Sequence, residues 1–198
     1  MSMNHGYAPT LKFVFNIRKA SQAAAYLVQL HDGRLNLMVL LTLLYLADRA
    51  SLIETGYTIT GDQMVCVPSG PALSRLYDLA KWGPPANPQE ASDVWYAYVT
   101  EVDDVVSLAE KTPQTDELSA YERELLARID RNHGNRNPFE LRDLAQRLPE
   151  YAAAEGSSIP IDPVVILRHG GKSEAEIADI VATAGEILFL DSFSRTTA

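Results

Sequence analysis

Leu37-Met38-Val39-Leu40-Leu41-Thr42-Leu43-Leu44-Tyr45-Leu46-Ala47-Asp48-Arg49 is the stretch whose reading decides the fold. Its apolar side chains point in nearly every direction around a helix. A helix without a wet face belongs at the centre of its domain. Asn36 supplies an N-cap, and the helix is predicted over residues 37–51. The uninterrupted character of the run raises the question of a membrane. Residues 35–47 form the longest apolar stretch, but it is thirteen residues long and broken by Asn36 and Thr42, whereas a span needs about 20. Thr42, Tyr45 and Arg49 fall at i, i+3 and i+7 and make one narrow polar stripe, with Asp48 beside it. Charges at the end of a buried helix are met by internal partners, reach out to water, or contact another molecule.

Upstream, Ile17, Ala20, Ala24, Leu27 and Val28 repeat at helical spacing and predict a helix over residues 17–31. Ala23-Ala24-Ala25 leaves room for a second helix, and Asp32-Gly33 ends the segment. Residues 1–16 read as an arm, with an extended piece at 11–15. Downstream, β-branched residues flank Gly61-Asp62 within residues 56–67 and predict a short hairpin turning there. Pro68-Ser69-Gly70-Pro71 reads as a turn, with Pro71 opening a helix over residues 72–81.

Prolines 84, 85 and 88 mark residues 83–92 as a loop or lobe boundary. Short strands are expected at 94–99 and 105–108. Ser119-x-x-Glu122 and Ser173-x-x-Glu176 are capping boxes, and Asn137-Pro138 and Asp162-Pro163 pair a cap with Pro at the first helical position. These signals predict helices over 120–132, 138–147, 163–169 and 174–190, with a tail at 191–198. The fold class is therefore mainly α: a compact multi-helix domain, spanning 17–190, with a small β-hairpin and one or two further short strands.

Composition narrows the function classes. The 198 residues are 46% apolar and 22% charged, the balance of an ordinary globular protein. Cys66 is the single cysteine, so it makes no internal disulfide and reads as a small buried hydrophobe. That fits a cytoplasmic location, as does the absence of a basic start followed by an apolar run. Net charge is −9, with six Lys/Arg against five Asp/Glu in residues 1–80 and eleven against twenty-one in residues 81–198. Nucleic-acid binding needs clustered positive charge, and an acidic second half suits a basic partner instead.

Catalytic patterns are not visible. His5, His31, His133 and His169 form no metal-ligand spacing. His31, His133 and His169 lie near predicted helix C-termini, where a cation meets the dipole favourably. Ser69 lacks the strand-turn-helix elbow of a nucleophile, Asp103-Asp104 reads as a solvated pair, and no Gly-rich phosphate loop occurs. The expectation is a binding protein, not an enzyme, with no cofactor and no metal.

Arg18 to Leu27, Leu40 to Arg49, and Gly56-Tyr57-Thr58-Ile59-Thr60-Gly61-Asp62 resemble successive motifs of the Panacea domain of SocA-like antitoxins, the last of them its Gly-x-x-apolar-x-Gly-Asp hairpin. Ser69-Gly70-Pro71-Ala72 stands where that family typically has His-Gly-Pro-Val, and Leu118-Ser119, Leu141-Arg142-Asp143 and Leu148-Pro149-Glu150-Tyr151 also resemble it. The resemblance runs over about residues 17–185. Ser69, Ala72 and Thr42 depart from the His, Val and Lys common at those places. It implies an antitoxin encoded beside a protein toxin and neutralising it by direct binding. One member instead acts as a proteolytic adaptor that delivers its toxin to a ClpXP-type protease, and related genes occur in prophages. A phage-associated DNA-binding regulator is the alternative from another class. The expected partner surface is the polar edge where the central helix meets the 68–71 turn: Tyr45, Arg49, Ser69, Gly70, Pro71 and Arg75, with Tyr and Arg the residue types that dominate interface hot spots.

Overall fold

The computed structural model describes residues 11–82, 89–152 and 158–196. In chain order the elements are α1 (Ile17–Gln29), β1 (Arg34–Asn36), α2 (Leu37–Thr55), β2 (Met64–Val67), β3 (Gly70–Leu73), α3 (Ser74–Trp82) and α4 (Gln89–Tyr98). They continue with β4 (Val99–Val102), β5 (Val105–Leu108), α5 (Ala120–His133), α6 (Pro138–Ala145), β6 (Ile159–Pro160), α7 (Pro163–His169) and α8 (Glu174–Thr196). The fold is mainly α, with two small antiparallel sheets ordered β1-β5-β4 and β3-β2-β6.

α2 is the axis of the core. Asn36 caps its first turn, accepting from the Met38 and Val39 amides at 3.0 and 3.3 Å. The helix runs one turn beyond the predicted end, to a left-handed Gly56. α1, α5, α6, α7 and β3 all pack against it, which is why residues on every side, from Leu40 and Leu43 to Leu44 and Leu52, are buried. The alanine run of α1 is buried in full, and small side chains there let α4 and α5 approach.

The helix starts in the last third follow their capping signals. Ser119 and Asn137 make complete capping boxes, and Asp162 accepts from the Val164 amide. Ser173 and Glu176 exchange side chain-to-backbone bonds at the start of α8. α6 stops at Ala145 and α8 continues to Thr196, against the expected 147 and 190.

Three expectations are corrected. Residues 57–63 make no hairpin; the ladder is β2–β3, pairing Val67 with Gly70 across Pro68-Ser69. The expected strand run failed to pair because the Ile59 and Thr60 amides bond the Asp48 carboxylate instead. Pro71 does not open a helix. It lies in β3, an edge strand, where Pro is tolerated because one side of the strand has no ladder, and α3 opens at Ser74. Most of residues 94–99 is helical: α4 inserts the buried Trp95 into the core, and only Val99 begins a strand. Asp103-Asp104 is the two-residue turn of the β4–β5 hairpin, both residues at positive φ, the conformation such hairpins favour. The strand at 105–108 forms as expected.

Residues 1–10, 83–88, 153–157 and 197–198 lie outside the described residues, and with them most of the expected arm, most of the 83–92 boundary and the end of the tail. The described part of the arm is held down. Leu11 is buried, Asn16 caps α1, and the Asn16 amide donates to the Thr60 carbonyl at 2.9 Å.

Leu43 and Leu44 are 0% and 1% exposed. Leu43→Ala or Leu44→Ala is expected to lower unfolding free energy by about 2–5 kcal/mol, the range for truncating a buried Leu. Urea titration followed by circular dichroism measures it, and an unchanged midpoint would contradict the central placement of α2.

Candidate functional site

The polar stripe of α2 meets two different neighbours. On one side, Tyr45 donates its hydroxyl to Glu150 Oε1 at 2.9 Å, and Arg49 donates from Nε to the same oxygen at 2.6 Å and from Nη2 to Oε2 at 3.3 Å. Glu150 has a fully buried side chain, so its carboxylate depends on these donors. Burial first, and then the neighbouring Glu150 carboxylate, push the Tyr45 hydroxyl pKa well above its ordinary value. Cys66 closes the same corner: the Ala152 amide donates to its sulfur at 3.2 Å. The sequence motif around Glu150 resembled the family, but nothing in its local pattern announced a partner for α2. The pair is separated by 101 positions.

On the other side, Asp48 is fully buried and accepts from the Ile59 amide at 2.9 Å, from the Thr60 amide at 3.0 Å and from the Thr60 hydroxyl. Thr60 Oγ1 in turn accepts from the Asp62 amide at 3.1 Å. Asp62 reaches forward to α3, where its carboxylate accepts from the amides of Arg75 at 3.2 Å and Leu76 at 3.0 Å. The two buried aspartates thus replace a β-ladder with side-chain acceptors and cap a helix from outside it. Gly61 between them is at φ +71°, and a Cβ there would lie 1.9 Å from the Val14 carbonyl oxygen. No other residue fits.

Desolvation pushes the Asp48 carboxyl up to about 7, against the opposing pull of the Thr60 and Ile59 donors. Burial also raises Asp62, opposed by its three backbone donors.

The expected partner surface is therefore divided. Tyr45 and Arg49 converge on Glu150, and Tyr45 has no exposed surface, so the ring belongs to the interior. Arg75 is exposed, with its guanidinium 5.1 Å from the centroid of the Phe15 ring. Gly70 and Pro71 are buried in β3. Ser69 borders a groove of about 540 Å³ whose apolar lining comes from Leu37, Met38, Leu41, Tyr77 and Phe139. Phe139 is 69% exposed and carries the Arg142 guanidinium 5.6 Å from its ring centroid. The turn does meet α2, but at the start of the helix rather than at Tyr45.

His133 and His169 end α5 and α7 as expected. His31 lies beyond the end of α1 and bonds Asp130 at 2.6 Å. Among the described residues no three or more His, Cys, Asp or Glu side chains form a group able to hold a metal ion, and no helix is long and apolar enough to cross a membrane.

Asp48, Asp62, Glu150 and Tyr45 are each spent on joining elements. The chain belongs to the SocA-like antitoxin family: the model of its Panacea domain matches residues 40–150. The match is narrower than the 17–185 of the motif resemblance, and it begins inside α2 and ends on Glu150. No curated protein matches the chain, and no solved structure does.

Two outcomes follow from this geometry. The native state keeps a proton on Asp48 that the unfolded chain releases above its ordinary value of 3.8. This group's contribution to stability is therefore greatest below about pH 4 and is lost as pH rises through about 7. Asp48→Asn keeps an acceptor for the Ile59 and Thr60 amides and should flatten that decline, with Asp62 supplying the remainder. Urea midpoints of wild type and variant at about pH 5 and about pH 8 measure it, and parallel pH dependences would refute it.

The second concerns the turn. Gly70 is at φ +133°, a conformation β-branched residues resist, so Gly70→Val should cost both fold and partner binding. Ser69→Ala should keep both, as read by melting temperature and toxin rescue. Loss of rescue in a folded Ser69→Ala protein would make the hydroxyl a functional group.

Proposed function

We propose that this chain neutralises a neighbour-encoded protein toxin in the cytoplasm by binding it directly. The observation that carries the reading is the antitoxin-family match over residues 40–150, a stretch that contains most of α2 and most of the groove beside Ser69. The groove suits a partner's apolar anchor: it is concave, lined by aliphatic and aromatic side chains, and edged by a few polar groups. Arg75 and Ser69 are the proposed contacts, with the buried Gly70 and Pro71 of β3 holding the Ser69 turn in place. Tyr45 and Arg49 serve them indirectly by holding α2 in place through Glu150.

The net charge of −9 favours a protein partner over DNA. A retarded band in a gel shift at physiological salt would reverse that choice. A toxin whose half-life falls only when both this chain and a ClpXP-type protease are present would replace neutralisation by delivery.

Co-expression with the adjacent reading frame's product is expected to rescue growth and to yield a stable complex on pull-down. Arg75→Ala should weaken retention with an unchanged melting temperature. Arg49→Ala should lower the melting temperature itself, because it strips a buried carboxylate of its cation. No rescue by folded wild-type protein, with the toxin expressed, would sink the function. Full retention by Arg75→Ala would remove Arg75 from the interface.

A further inference from the structure

A surface helix of a globular protein carries one apolar stripe and one polar face. α8 departs from this toward its C-terminal half. Its inner side is ordinary: Ile177 and Ala184 are buried, Ile180, Val181 and Leu188 are partly so, and Ile180 lies against Gly56. The other side is apolar as well. Ile187, Phe189 and Leu190 are 47%, 62% and 66% exposed within four consecutive positions. Single exposed apolar residues need no explanation, but a cluster does.

The charges that α8 itself carries beside this cluster have one sign, while Lys12 and Lys19 border Ile187 and Leu188 at its inner edge. Residues 174–190 hold four acidic residues and no Lys or Arg. The first two acids are matched: Arg168 pairs with Glu174 at 2.6 Å and Lys172 with Glu176 at 3.4 Å. Asp179 and Glu186 are exposed and form no ion pair among the described residues. At 3.6 residues per turn, Asp179, Glu186 and Leu190 (i, i+7, i+11) share one outer stripe, and Ala182, also exposed, leaves it flat between them. The stripe lies outside the matched stretch of residues 40–150.

We propose that this outer stripe of α8 docks a positively charged protein surface: an apolar socket on the toxin bordered by Lys or Arg. This rests on the toxin-binding reading and adds a second contact to it. A second copy of this chain is the poorer occupant, since it would set Asp179 and Glu186 against their own like charges. An apolar anchor flanked by unmatched carboxylates gives both burial and a sign to steer by.

The test uses the full chain and the purified product of the adjacent reading frame. Leu190→Gln removes the anchor, and the double variant Asp179→Lys, Glu186→Lys reverses the charge. All three positions are solvent-facing, so both proteins should melt with the wild type. Calorimetry is expected to show each binding roughly tenfold or more weaker, the scale of losing about 1.4 kcal/mol. Wild-type affinity should also fall as salt rises. Wild-type binding by both variants would overturn the proposal. So would light scattering showing a wild-type dimer that Leu190→Gln converts to monomer, because a second copy would then own the stripe. If wild-type protein binds no toxin, the functional reading fails and takes this inference with it; binding retained by the variants leaves that reading intact.

Discussion

A helix with no wet face must find an internal partner for each polar group it carries, since an unmet donor or acceptor in the core costs about 1–3 kcal/mol. Before its last turn, α2 carries Thr42, Tyr45, Asp48, Arg49 and Ser51, of which only Arg49 is more than slightly exposed. The Thr42 hydroxyl is met at home, by the Met38 carbonyl at 2.8 Å. Tyr45, Asp48 and Arg49 cannot be. Tyr45 and Arg49 need an acceptor from another element, and Asp48 needs donors. The chain supplies Glu150 for the first need and the 59–60 backbone for the second.

Those two solutions determine how the remaining parts meet. Asp48 fixes the 59–62 loop, which presents Asp62 to the start of α3 and the Thr60 carbonyl to Asn16. The start of α1 is thereby tied to the end of α2 through the loop that follows it. Glu150 anchors the segment after α6, beside Cys66 of β2. A similar device joins the far side of α1: the buried Gln22 donates to Tyr98 and Asp116 and accepts from the Glu117 amide. These are satisfied polar networks within a mainly apolar core, and they specify one arrangement of the helices among the many that apolar packing alone would permit.

Local chemistry was legible in the sequence wherever the cause of a structure lies within a few residues of it. Asn36, Ser119, Asn137, Asp162 and Ser173 each start a helix because their side chains reach amides two or three positions on. What was not legible has causes far along the chain. Residues 57–60 have strand-like composition, but the Ile59 and Thr60 amides are taken by Asp48, eleven and twelve positions earlier. The 94–99 run is rich in Val and aromatic residues, but Trp95 is buried by a helix that packs on α1. Tyr45 and Arg49 had the composition of an interface hot spot, and only the position of Glu150 shows that both bond within the chain.

The same distinction separates scaffold from function. Within the family match, the buried polar residues Asp48, Thr60, Asp62 and Glu150 are architectural: each is internal, and each joins two elements. A surface that recognises a partner has the opposite requirement, since its groups must be exposed before the partner arrives. In this chain that description fits the groove beside Ser69 and the acidic end of α8. Interior residues constrain one another and cannot change singly without leaving a buried group unmet. Exposed side chains such as Phe139, Arg75 and Leu190 carry no such debt to the core. A fold arranged this way holds its helices by internal carboxylates and leaves its exposed positions free of that constraint.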